Sequence, residues 1–127
     1  MPRLFTYNEF KNGSEKVRQY ADKHSPVIIC ESTAERNKPF RVKVIIGKSV
    51  KHPNAPDHHY EYIQLWNLET LAGEIKLQRS SFGDNPVHVE AEFTIIPKNS
   101  LRLTALAYCN KHGLWQSEEL FVPATGE

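Results

Sequence analysis

What this chain can fold into is constrained chiefly by a succession of short apolar-rich segments, each cut from the next by a turn cluster. Phe40-Arg41-Val42-Lys43-Val44 and Val87-His88-Val89-Glu90-Ala91-Glu92-Phe93 alternate apolar with polar residues. That is the period of a strand with one face buried and the other in solvent. Val27-Ile28-Ile29-Cys30 is a short apolar run, and Tyr60-Glu61-Tyr62-Ile63-Gln64-Leu65-Trp66 is rich in aromatic and β-branched residues, as strands are. Residues 71–79 carry another segment, interrupted by Gly73, and residues 101–108 and 114–122 carry two more. The turn signals between them include Asn67-Leu68-Glu69, Gly83-Asp84-Asn85-Pro86 and Pro97-Lys98-Asn99-Ser100. About seven short strands at this spacing predict an all-β, immunoglobulin-like antiparallel sandwich. Its inner faces are expected to supply Val42, Val44, Ile63, Leu65, Val89, Phe93, Leu103 and Ala105. Trp66 and Trp115 are expected among the core aromatics, and Cys30 as an inert core thiol.

The length of 127 residues suits one domain. Residues 1–22 are polar and mixed, and form an N-terminal extension ahead of a domain over 23–127. A short helix fits within residues 9–23, with Asn12-Gly13 as a turn-like interruption. With 16 basic against 15 acidic side chains, the chain lacks the basic excess typical of a nucleic-acid binder. No apolar run approaches the ~20 residues of a membrane helix. Met1-Pro2-Arg3-Leu4-Phe5 lacks the apolar core of a secretory signal. Two cysteines, Cys30 and Cys109, could pair with each other but make no disulfide framework. A reducing, cytoplasmic setting is the simpler expectation, and there a thiolate ligand survives.

The chemistry-bearing residues fall in three clusters. Ala107-Tyr108-Cys109-Asn110-Lys111-His112-Gly113-Leu114-Trp115 sets a thiol and an imidazole three positions apart, beside a glycine that permits a tight turn. His52-Pro53-Asn54-Ala55-Pro56-Asp57-His58-His59 sets imidazoles in a loop stiffened by two prolines. His58 and His59 are neighbours, so in extended backbone they face opposite ways and only one is expected at a given ion. Asp22-Lys23-His24 adds an imidazole beside a cation. Each cluster alone is weak: a solvated histidine loop, a buried thiol near a surface histidine, and an ordinary histidine account for them singly. His88 shares the polar parity of Glu90 and Glu92 and is expected in solvent. Jointly, one thiolate with several imidazoles suits a transition metal. A copper carrier also uses a Cys followed closely by a His, but usually adds a downstream Met; the one methionine here is Met1, and Gln116 would have to substitute. A structural zinc site is usually closed and four-coordinate, and this donor set is larger.

In these motifs the chain resembles superoxide reductase, in the one-iron form called neelaredoxin, whose two-iron relative is desulfoferrodoxin. The resemblance is carried by Lys23-His24-Ser25-Pro26-Val27-Ile28, by Gly47-Lys48-Ser49-Val50-Lys51-His52-Pro53-Asn54 with Asp57-His58-His59, and by Tyr108-Cys109-Asn110-Lys111-His112-Gly113-Leu114-Trp115. It implies one non-haem iron per chain, with His24, His52, His58 and His112 as equatorial imidazoles and Cys109 as axial thiolate. It implies one-electron reduction of superoxide to hydrogen peroxide at an open sixth position. Lys23 would draw in the anion, and Asp22 would stand where the family commonly has a glutamate that reaches ferric iron. Asp22 is one methylene shorter, which puts that contact in question. The resemblance further implies an external electron donor such as rubredoxin, and a homodimer or homotetramer. The additional four-cysteine iron centre of the two-iron relatives has no counterpart, because no cysteine precedes Cys30.

Overall fold

The computed structural model describes residues 24–47, 58–77 and 89–127. The expected extension over 1–22, the turn at Gly83-Asp84-Asn85-Pro86, and His88 lie outside the described residues. Within them run β1 (Pro26–Ile29), β2 (Ala34–Glu35), β3 (Phe40–Ile46), β4 (Tyr60–Asn67) and β5 (Thr70–Lys76). They are followed by β6 (Val89–Ile95), β7 (Leu101–Cys109), β8 (Gly113–Gln116), β9 (Leu120–Val122) and β10 (Ala124–Thr125). One sheet has the order β1-β3-β6, and the other has the order β5-β4-β7-β8. β9 pairs with the beginning of β7 where β8 pairs with its end, so the two share one edge. Every pairing in both sheets is antiparallel, while β2 and β10 form a small parallel pair.

The alternation seen in the sequence decides which residues face the neighbouring sheet. Val42, Val44 and Ile46 of β3 pack with Ala91 and Phe93 of β6 against Ile63 and Leu65 of β4 and Leu103, Ala105 and Ala107 of β7. Val89, at the start of β6, packs against this core only in part. Burying each such side chain contributes roughly 1.5–3 kcal/mol, the leading favourable term between the two sheets. At Gly73 the two sheets approach closely: a Cβ built there would stand 2.7 Å from the Phe93 ring.

Three expectations need correction. Residues 114–122 form two strands, β8 and β9, rather than one. Ser117 interrupts them, since its hydroxyl accepts from Ala105 N and donates to Glu118 O while its own N–H bonds Ala105 O. Trp66 is not a core aromatic. Ile63 and Leu65 take the inward positions, so Trp66 shares the outer face with Gln64 and donates its Nε1–H to the Gln64 Oε1 at 3.0 Å. Cys30 lies just past β1, half-buried at the core edge. Burial, and secondarily the Glu31 carboxylate, pushes its thiol pKa up. The short elements β2 and β10, with two residues each, are too brief for alternation to reveal.

Candidate metal centre

Four of the five expected ligands converge at one end of the sandwich. Ligand atoms of His24, His58, Cys109 and His112 all lie within 4.8 Å of one another. The fifth, His52, and the neighbouring Asp22 and Lys23, lie outside the described residues.

The four ligands arrive on three pieces of backbone, Cys109 and His112 sharing the β7–β8 hairpin. His24 immediately precedes the entry to β1, on the side of the β1-β3-β6 sheet, and is fully buried. His58 stands two residues before β4, and Cys109 is the last residue of β7, likewise fully buried. His112 lies in the turn between β7 and β8, which closes because Gly113 takes a φ of +89°, a conformation costly for other residues. The register places Gly113 opposite Cys109, so the turn folds the His112 imidazole back over the thiol. His58 and His112 are half-buried, whereas the other two members are fully buried.

The internal geometry fits a single ion. His24 Nε2 and His112 Nδ1 are 2.9 Å apart. Two imidazole nitrogens held at right angles, each ~2.1 Å from a metal, would be separated by about 3.0 Å. The rings of His24 and His112 cross at 82°, and those of His58 and His112 at 80°. Imidazole with thiolate is a donor set for a borderline transition metal rather than for magnesium or calcium. Cys30 and Cys109 form no disulfide with each other, so Cys109 is not tied to Cys30.

The ligands are braced by neighbours to which the sequence reading gave no role at the site. Trp115 lies parallel to His24, ring centroids 4.9 Å apart at 17°, and its Nε1–H reaches the His112 carbonyl at 3.3 Å. Asn110 clamps the residue after His58. Its side-chain oxygen accepts from His59 N at 2.8 Å, and its own N–H bonds His59 O at 3.0 Å. His59 is not part of the cluster, as expected of adjacent residues in extended backbone. Tyr60 is buried, and its hydroxyl donates to the His24 carbonyl. Asn110 and Trp115 sit inside a motif rich in ligands, which was the available signal for them. Tyr60 carried none, because its inward aim depends on a register shift in β4.

The fold and the site together define a β-sandwich protein with a mononuclear histidine–thiolate metal centre. The model of the desulfoferrodoxin family matches residues 16–118, and the chain belongs to that family. It is 37% identical over 121 residues to the superoxide reductase of Pyrococcus furiosus, covering 83% of this chain and 95% of that one. It is also 37% identical over 103 residues to the superoxide reductase of Thermococcus kodakarensis, covering 76% of this chain and 85% of that one. A solved superoxide reductase (neelaredoxin) from Ignicoccus hospitalis superposes with a TM-score of 0.72 at 25% identity, covering 90% of each chain.

Proposed function

We propose that this protein is a superoxide reductase, adding one electron to superoxide to give hydrogen peroxide at a single non-haem iron. The observation that carries it is the convergence of three imidazoles and one thiol in a chain of the desulfoferrodoxin family. His24, His58, His112 and Cys109 would hold the iron, with His52 as the fourth imidazole.

When bound, ferrous iron supplies the electron and is left ferric. The rest is done by the chain. The imidazoles are neutral donors, and the Cys109 thiolate brings a negative charge that favours the higher oxidation state. Burial of His24 and Cys109 keeps water from competing on that side, while the half-buried edge at His58 and His112 gives a small anion a way in. Lys23, next to His24 in sequence, would attract superoxide to that edge. Local positive fields of this kind raise association rates by roughly 10–1000-fold. Lys23 would also order a water that delivers protons, since two protons must join superoxide for each electron added. Asp22 is the candidate to approach ferric iron between turnovers.

Re-reduction requires an external donor, and a small carrier such as rubredoxin fits. The described residues contain no helix long and apolar enough to cross a membrane. A cytoplasmic protein, assembled as a homodimer or homotetramer with the catalytic domain over 23–127, completes the proposal.

The test is metal analysis with an optical spectrum of the anaerobically reduced protein, before and after superoxide. One iron per chain, a visible band that appears on oxidation, and peroxide formed with little oxygen released is the expected result. Zinc retained with no colour change after iron reconstitution would overturn the assignment, and copper with no peroxide would do so too.

A further inference from the structure

We propose that Tyr60 is a positioning residue of the metal centre, its phenol fixing the main chain of His24 relative to the Cys109 thiolate. The proposal rests on the iron assignment above and assigns one role within it.

The argument begins with register. Tyr62, Gln64 and Trp66 lie opposite Tyr108, Leu106 and Thr104 of β7, on the outer face of the sheet. Strict alternation would put Tyr60 on that face as well. The pairing shifts by one residue between Tyr60 and Tyr62, a β-bulge. Glu61 is therefore turned out to solvent and Tyr60 inward, where it is 3% exposed and joins the core cluster. Bulges beside functional sites commonly re-aim a side chain in this way.

The bulge leaves Tyr60 directly opposite Cys109 in the ladder. Its side chain then crosses to the other sheet, where the hydroxyl donates to the carbonyl of His24. One residue is thus tied through its backbone strand to the thiol ligand and through its side chain to a histidine ligand from the opposite sheet. His24 is held at both levels, its ring by the Trp115 stack and its main chain by Tyr60. With only Ser25 between His24 and the Pro26 start of β1, there is little slack for that carbonyl to settle elsewhere. Supporting groups of this kind typically change metal affinity by about 10–100-fold when removed.

The experiment compares the wild-type protein with Tyr60→Phe, which keeps the ring and its packing but removes the hydroxyl, and with Tyr62→Phe as control. Three quantities are read: iron release to excess chelator, the position of the visible band of the oxidised protein, and the urea midpoint of the metal-free protein. The expected result is iron release about tenfold faster or more, with a displaced visible band, in Tyr60→Phe but not in Tyr62→Phe. Tyr60→Phe with the wild-type band and release rate would overturn the proposal, even if its urea midpoint fell, because that would be a purely structural role. If Tyr60→Phe does not fold, 3-fluorotyrosine placed at position 60 keeps shape and hydroxyl while strengthening the donor. A moved band then supports the proposal, and an unmoved band overturns it. A wild-type protein that takes up no iron would overturn the underlying assignment, an outcome distinct from a loaded wild type that its variant matches.

Discussion

At the scale of single residues, the centre separates groups that hold an ion from groups that act on what reaches it. Cys109 is the one sulfur donor in the described cluster and is wholly buried, so water has little access to take its place. Cys109→Ser swaps a soft thiolate for a hard hydroxyl that stays protonated at neutral pH. The expected outcome is loss of the visible band of the oxidised protein and iron retained at least tenfold more weakly. A variant with an unchanged spectrum would remove Cys109 from the ligand set. Lys23 is the residue proposed above for the second kind of group. Lys23→Ala should leave iron content intact while lowering the second-order rate with superoxide by about tenfold and flattening its salt dependence. Stopped-flow mixing at two ionic strengths checks this, and an unaltered rate would exclude Lys23 from the mechanism. The meeting of Cys109 with His112 was legible because Cys-x-x-His followed by glycine keeps donor and turn residues together, whereas His24 and His58 were named through the family resemblance. Tyr60 was not legible, because its inward aim depends on a one-residue bulge that leaves no mark in the local alternation.

At the scale of elements, the strands were easiest to read where one face is dry and the other wet. Residues 40–46 match β3 for this reason, with Val42 and Val44 inside and Arg41 exposed. β7 was read as a strand over residues 101–108 with Leu103 and Ala105 inward, but the middle of its outer face is less plainly marked. Thr104 and Leu106 point away from the sheet-to-sheet core, yet they are 1% and 6% exposed, so both faces are buried and alternation carries no contrast. The break between β8 and β9 was hidden likewise, because it depends on Ser117 bonding back to Ala105 across the strand edge. Gly73 was visible as an interruption, but its cause lies in the partner sheet, where the Phe93 ring fills the space a Cβ would need. Two ring atoms within 3.0 Å of that position leave no flexible tip to move aside. Gly73→Ala is therefore expected to lower stability by about 1–3 kcal/mol, read as a shift in urea midpoint at constant slope. Stability equal to wild type would mean that the ring relocates freely and the sheets are not close-packed there.

Across the whole molecule, near-balanced charge leaves alkaline stability to a few perturbed groups rather than to bulk repulsion. The chain carries a formal net charge of +1 at pH 7. Cys30, at the edge of the first sheet, has its thiol pushed above the ordinary 9.0 by burial and then by Glu31. Tyr62, on the outer face of the second sheet and stacked on Tyr108 at 5.8 Å, has its phenol pushed above the ordinary 10.0. Burial is the leading cause, followed by Glu74, Tyr108 and Glu61. The sign follows from proton counting. Both groups hold their protons more tightly in the folded protein than in the unfolded chain, so unfolding releases protons in alkali. Their contributions are whole below the ordinary values and are lost as pH rises through the raised ones. The urea midpoint should therefore fall above about pH 9, first through Cys30 and then through Tyr62. Each group is partly in contact with solvent, which keeps each contribution small. Cys30→Ala should remove the earlier part of the decline and Tyr62→Phe the later part, measured on metal-free protein so that ligand binding does not enter. If both variants follow the wild-type curve through alkaline pH, neither group governs it. Neither residue belongs to the metal cluster, so the iron content of both variants should match wild type at neutral pH, separating the stability of the sandwich from the chemistry at its end.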